Sequence, residues 1–335
     1  MLEKFWGIKP VANQQNILIL SCGTRNKIVQ YFKKELQGHG KLMATDCSKL
    51  APALYHADKH FIVPRIDDKT YLDTILSICK ENKIKAVLSL IDPELSLLAK
   101  HKQKFMDIGT IPIVSDYQTV EICFDKYLFY KHLVEKGFKT PRSYIDKEKF
   151  YSDLESGLIS FPVFVKPVKG SASIGINKVK SKEEVELLFK NNDNLLIQEY
   201  MLGIEYGADV YLDLISGETV AIFTKEKIKM RAGETDKSLS IKDEKLFDLI
   251  NRLVNEVEFK GVIDIDLFKM NKEYYISEIN PRFGGGYPHA YECGVNLPKM
   301  ILNNIKNKVN KKAIGHYDEG TYMMKYSEVM LKQSQ

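Results

Sequence analysis

No stretch of this chain reaches the roughly twenty consecutive apolar residues that a helix needs to cross a bilayer, so no membrane span is expected. Met1 to Pro10 has no apolar run followed by a cleavage site, so no export signal is expected either. Cysteine is sparse and scattered. Cys22, Cys47, Cys79, Cys123 and Cys293 lie far apart and form no C-x-x-C pair, which argues against a disulfide frame or a zinc site and for reduced thiols. The expectation is a cytoplasmic protein. A large excess of one charge is missing as well. The 49 basic and 44 acidic residues leave a formal +5 dispersed along the sequence, without the concentrated basic face that nucleic acid requires. The cluster Lys306 to Lys312 reads as a solvated helix end. Two phosphate-binding fingerprints are also absent. Ser21-Cys22-Gly23-Thr24-Arg25 holds one glycine where a dinucleotide fold needs G-x-G-x-x-G, and no G-x-x-x-x-G-K-[ST] occurs.

What is present is ordinary globular material, with 44% hydrophobic and 28% charged residues, in a length of 335 that allows two or three lobes. Asn16–Cys22 is a compact apolar strand, and Asn26 to Leu36 repeats apolar residues at helical spacing. Strands at Lys41–Thr45, Phe61–Val63, Ala86–Ile91 and Pro112–Ser115, with a helix at Tyr71–Cys79, complete an alternation that predicts a doubly wound parallel sheet. From the strand Phe161–Lys166 onward the texture is α+β. Ser181 followed by Glu184 is a capping box that opens a helix to Phe189, and Asp243–Val257 is amphipathic. No internal repeat or low-complexity linker appears.

The most informative stretch runs from Gly261 to Gly286. Val262–Lys269 and Glu273–Asn280 read as two strands of a hairpin, so Asp264 and Asp266 point together, as do Glu278 and Asn280, and the register decides whether the two pairs share a face. A loop of Asn271-Lys272-Glu273 would set Met270 opposite Tyr274, Asp266 opposite Glu278 and Asp264 opposite Asn280. Facing carboxylates repel unless a cation lies between them. Hard oxygen donors suit Mg²⁺, which keeps room for water and nucleotide phosphates, and Arg282 could pair with a phosphate through its guanidinium fork. The plain alternative is a solvated acidic sheet face.

Two further pieces say little singly. Lys166 ends a strand and precedes Pro167 to Ile176, where small residues between Gly170 and Gly175 let backbone N–H groups close over anionic oxygens. Leu195–Tyr200 is a buried strand with polar residues at its end, followed by Met201 and Glu205; such an end can meet an adenine edge, with a carboxylate on the ribose. As isolated residues, Glu199 and Glu205 read equally as surface charge. Asp92-Pro93-Glu94 ends a strand of the first lobe, where open α/β sheets bind ligands, and its acids could hold an α-ammonium group or serve only as helix N-terminal acids. His289 and Cys293 read as packing residues.

Taken in order, these pieces resemble the ATP-grasp superfamily, in its carbamoyl-phosphate-synthase-like branch, from the first strand to about Asn310. Glu278-Ile279-Asn280-Pro281-Arg282 matches the family's E-x-N-P-R and is the most specific element. The resemblance implies an ATP-grasp fold with an N-terminal α/β domain over 1–118, a lid with the phosphate flap over 119–200 and a C-terminal subdomain with the metal site over 201–335. It implies ATP contacts from Lys126, Lys166, Gly170, Ser171, Ser173, Gly175, Glu199, Tyr200, Met201 and Glu205. It implies metal ligands Asp266, Glu278 and Asn280 for one or two Mg²⁺ ions, with Mn²⁺ as a substitute. Arg282 and Arg231 are implied near the phosphorylated intermediate, and the loop Gly284, Gly285 and Gly286 lies nearest the expected γ-phosphate, as candidate substrate contacts alongside Asp92 and Glu94. Asp266 stands where carbamoyl phosphate synthases have glutamine and Arg231 where they have histidine, so the product is not expected to be carbamoyl phosphate.

The activity so implied is ligation of a small carboxylate to an amine through an acyl phosphate, with both substrates small molecules and a homodimer through the first lobe. Arg282 and Arg231 would stabilise the oxyanion of the tetrahedral intermediate, each by about 2.7–4 kcal/mol. Positioning and electrostatics suffice for phosphoryl transfer, so no Ser/His or Cys/His pair is needed. A bicarbonate-activating carboxylase and a non-catalytic ATP-binding regulator remain as alternatives.

Overall fold

The computed structural model describes residues 15–170, 175–190 and 192–333. The first lobe comprises β1 (Asn16–Leu20), α1 (Asn26–Leu36), β2 (Leu42–Asp46), β3 (Lys59–Ile62), α2 (Tyr71–Glu81), β4 (Ile84–Ser89), α3 (Asp92–Lys100), α4 (Lys102–Asp107) and β5 (Ile111–Pro112). All five strands are parallel, in the order β3-β2-β1-β4-β5. Every residue of β1 is buried, as a strand covered by helices on both faces must be, which is why it reads as an unbroken apolar run. The strand order reverses between β1 and β4, and the loops leaving their carboxyl ends carry Ser21–Arg25 and Leu90–Asp92. Such a switch point is where open sheets of this kind expose a ligand-binding crevice.

Two helices, α5 (Tyr117–Phe124) and α6 (Lys126–Glu135), lead to a second sheet. Asp125 caps α6 by accepting the N–H groups of Tyr127 and Leu128 at 3.1 and 3.0 Å, which sets Lys126 at the helix start. This sheet holds β6 (Ser143–Tyr144), β7 (Val163–Pro167), β8 (Asn177–Val179) and β9 (Leu195–Glu199), antiparallel in the order β6-β9-β7-β8, with helices α7 (Lys147–Glu155) and α8 (Lys182–Phe189). Ser181 caps α8 through the Glu184 N–H at 3.4 Å, and the Glu184 carboxylate reaches back to the Lys180 N–H at 2.7 Å. The capping box is therefore realised with its second arm one residue early.

The third sheet is antiparallel, in the order β14-β13-β10-β11-β12-β15. Its strands are β10 (Ile204–Leu212), β11 (Thr219–Arg231), β12 (Glu234–Ile241), β13 (Gly261–Met270), β14 (Glu273–Asn280) and β15 (Tyr322–Met324), with helices α9 (Glu244–Val257), α10 (Tyr287–Glu292) and α11 (Leu297–Ile305). One apolar cluster joins this sheet to the first lobe, running from Ile17, Ile19 and Phe32 to Ile263, Phe283 and Tyr287. The second sheet has a separate core around Phe150, Val165 and Ile197. Among the described residues no helix is long and apolar enough to cross a membrane.

The β13–β14 hairpin differs from the sequence expectation at its tip. Met270 pairs with Glu273, so the turn has two residues, Asn271 and Lys272, both at positive φ of 52° and 64° as a tight primed turn demands. That change alone would slip the register by one. The ladder then shifts between Asp266 and Leu267, and the bulge restores Asp266 opposite Glu278 and Asp264 opposite Asn280. The two departures cancel, and the expected carboxylate register stands.

Candidate active site

A cleft of about 900 Å³ lies where the three sheets converge. Its floor is the third sheet, where period-two alternation brings Glu278 and Asn280 of β14, Asp264 and Asp266 of β13, Glu205 of β10 and Lys227 of β11 to one face. Gly207 sits at the centre of this face, opposite both Asp266 and Lys225. A methyl group there would lie 3.1 Å from the Cε atoms of Lys225 and Lys227. Its absence lets both lysines lean across β10. Lys227 pairs with Glu205 at 3.0 Å and with Asp266, while fully buried Lys225 pairs with Asp209. Burial presses the Lys227 ammonium toward deprotonation, but Asp266 and Glu205 outweigh it and hold the charge on. Asp264 has no such partner. Burial first, and the Asp266 and Asp209 charges next, push its carboxyl up to about 7.

The opposite wall comes from the second sheet and α6. Lys166 is only 6% exposed and its ammonium makes no hydrogen bond among the described residues; burial lowers its pKa, opposed by the nearby Glu278 charge. Lys126 donates to the Gly170 carbonyl at 2.6 Å. Glu199, Tyr200 and Met201 line the cleft at the end of β9, with the Glu199 carboxylate accepting the Arg142 N–H at 3.0 Å. Lys178 lies 3.8 Å over the Tyr200 ring. Arg231 lies on the β11–β12 turn, exposed and without an ion pair among the described residues.

Both the first lobe and the loop after β14 close the inner end. Arg282 bonds to Asp92 at 2.8 Å and to the Phe283 carbonyl at 3.0 Å, and Arg25 bonds to Glu234 at 2.7 Å. The triple glycine lies flat on charged side chains. A methyl group on Gly284 would meet Asp264 Oδ1 at 2.1 Å, one on Gly285 the Glu234 Cγ at 2.7 Å, and one on Gly286 the Lys225 Cε at 2.8 Å.

Several expected residues are placed elsewhere. Glu94 is fully buried inside the first lobe, where Ser21 donates to it at 2.7 Å and Tyr71 and Ser89 also donate; it cannot reach a substrate. Asp92 faces the cleft, but its carboxylate is engaged by Arg282, so it is an orienting partner of that guanidinium and not an open ammonium site. Gly284 packs beneath Asp264 and does not line the cleft, although Gly285 and Gly286 do. Gly175, at φ 74°, packs on Pro167 outside the lining. Ser171 and Ser173 lie outside the described residues.

Comparison with known proteins decides the family. A model of the ATP-grasp domain matches residues 123–286, and a model of the PylC-like N-terminal domain matches residues 17–113. The chain carries an ATP-grasp domain. It is similar to the formate-dependent phosphoribosylglycinamide formyltransferase of Prochlorococcus marinus, 26% identical over 291 residues covering 80% of this chain and 70% of that one. The D-alanine–D-alanine ligase of Natranaerobius thermophilus is 28% identical over 241 residues, covering 61% and 64%. The N5-carboxyaminoimidazole synthetase of Staphylococcus aureus, solved with ADP, superposes with a TM-score of 0.73 at 16% identity, covering 90% of this chain and 80% of that one; this likeness concerns the fold.

The chain has a donor set that suits a divalent ion. The Glu278 carboxylate carries no hydrogen bond or ion pair among the described residues, and Asn280 donates its amide N–H weakly to Asp264 at 3.4 Å, which leaves its oxygen open. Asp266 stands opposite Glu278 but shares its carboxylate with Lys227. Among the described residues no group of three His, Cys, Asp or Glu side chains is gathered tightly enough for a metal by itself, so phosphates and water would complete the shell. Charged residues that the sequence did not flag are also packed at the site: Arg25, Lys225, Lys227, Asp209 and Glu234. The signal for the lysines was Lys225 and Lys227 two apart on one strand, and for Arg25 its position just past the carboxyl end of β1.

Proposed function

We propose that this ATP-grasp ligase activates a small carboxylate as an acyl phosphate and passes the acyl group to an amine, releasing ADP and phosphate. The observation that carries the reading is the opposition, within one cleft, of the Asp266–Glu278–Asn280 ribbon and the Lys126–Lys166 pair. In this reading ATP lies between them, its adenine at Glu199 to Met201 and its ribose at Glu205. Lys126 and Lys166 neutralise phosphate oxygens, and buried Lys166 does so strongly because little water screens it. Glu278, Asn280 and Asp266 would hold one or two Mg²⁺ ions, which when bound withdraw charge from the transferred phosphoryl group. Asp92 fixes the Arg282 fork so that its remaining Nε–H, buried and without a partner, can serve the oxyanion. The segment around Gly170 closes over the phosphates and keeps water from the acyl phosphate.

The size of the cleft, with a smaller cavity adjoining it, favours two organic substrates over bicarbonate. The lobes over 1–118, 119–200 and 201–335 then serve as substrate, lid and catalytic parts of a cytoplasmic enzyme of small molecules, with the first lobe as the homodimer surface. Replacing Glu278 by Gln tests the site. ADP formation that depends on Mg²⁺ should fall to background while the fold persists by circular dichroism; unchanged ADP formation would remove Glu278 from the metal set.

A further inference from the structure

Beyond the cleft, a second cavity of about 320 Å³ lies between the β11–β12 turn, Thr24 of the first lobe and the segment Lys325–Ser327. It shares Arg231, Ala232, Glu234 and Thr235 with the cleft, so the two spaces are one side chain apart. Glu234 is the partition. Arg25 holds it from one side and Lys325 from the other, both at 2.7 Å, and these two cations keep its carboxyl below the ordinary range although burial acts in the opposite sense.

The charge left over in this cavity is on Asp236. The residue lines the space and is 7% exposed, and its carboxylate makes no hydrogen bond or ion pair among the described residues. The ammonium of Lys325 is committed to Glu234, and the Lys325 backbone N–H goes to the Asp236 carbonyl, not to its carboxylate. A carboxylate that faces an open cavity and is committed to no cation of the protein can accept one that arrives with a ligand.

We propose that this cavity is the subsite of the acceptor substrate, and that Asp236 receives a primary ammonium group of that acceptor. The inference rests on the ligase reading, which supplies an amine acceptor, and it assigns the acceptor to the far side of Glu234 from the nucleotide. The acceptor is then an organic amine with a cationic head, entering past Tyr326 and Ser327.

The probe is 1,4-diaminobutane, titrated calorimetrically into the full chain with ADP and Mg²⁺ present. The unsubstituted protein should bind it, and Asp236→Asn should weaken it at least about tenfold, the worth of one charge-assisted hydrogen bond. Ser327→Phe, which narrows the cavity without touching Asp236, should weaken it too. Diamine affinity indifferent to Asp236→Asn, or no diamine binding by the unsubstituted chain, overturns the subsite. Failure to bind ADP in the same titrations would instead overturn the ligase reading, so the two failures are separable.

Discussion

Side chains in the cleft owe their positions to what their neighbours lack. Gly207 lets two lysines cross a strand, and Gly284 lets the backbone settle onto Asp264. Gly284→Ala would drive a methyl group into a buried carboxylate oxygen, and overpacking of that kind costs about 1–3 kcal/mol. A fall in the urea midpoint at unchanged slope is the expected result. The sequence showed the acids of this site plainly, because Asp264, Asp266, Glu278 and Asn280 recur at period two. It did not show that Lys227 would share Asp266, since that contact spans an intervening strand and depends on Gly207 having no side chain. Glu94 misled for a related reason: an acid at a helix start reads alike whether three hydroxyls or a ligand satisfy it.

Strands and helices were legible where local chemistry fixes them. Helix α1 begins and ends as its apolar spacing predicts, and α9 starts after the Asp243 cap. The hairpin tip was not legible, because a two-residue turn plus a bulge and a three-residue turn without one deliver the same register. Helix α10 shows what a short element can hold. His289 is buried against Ser238 at 2.8 Å and the Thr321 carbonyl at 3.1 Å, as a packing residue. Desolvation, then the Lys225 charge, depress its pKa from 6.5 to about 4. Between those values the unfolded chain binds a proton that the folded chain refuses, so stability rises with pH across this window. The protein should lose Tm as pH falls from 6.5 toward 4, and His289→Gln should flatten that part of the profile.

The three lobes meet through a few buried ions as well as apolar contact. Asp92 of the first lobe and Arg282 of the third are 8% and 9% exposed, and their 2.8 Å bond spans 190 residues of sequence. Asp92→Ala leaves a buried guanidinium without its partner, which should cost about 3–5 kcal/mol in denaturant unfolding. The mutant should also slow turnover more than it weakens nucleotide binding, because Arg282 would lose its aim. No reading of the chain in one dimension could have joined Asp92 to Arg282, or Arg25 to Glu234, since only the packed lobes bring them together. The matched E-x-N-P-R motif announced the family, and the tertiary fold supplied the clamp.

The distribution of apolar packing has a mechanical consequence. Sheets one and three are welded along a common hydrophobic seam, while the sheet carrying Lys166 has its own interior. The middle sheet can therefore tilt without exposing that seam to water, whereas prising the outer two apart would wet it.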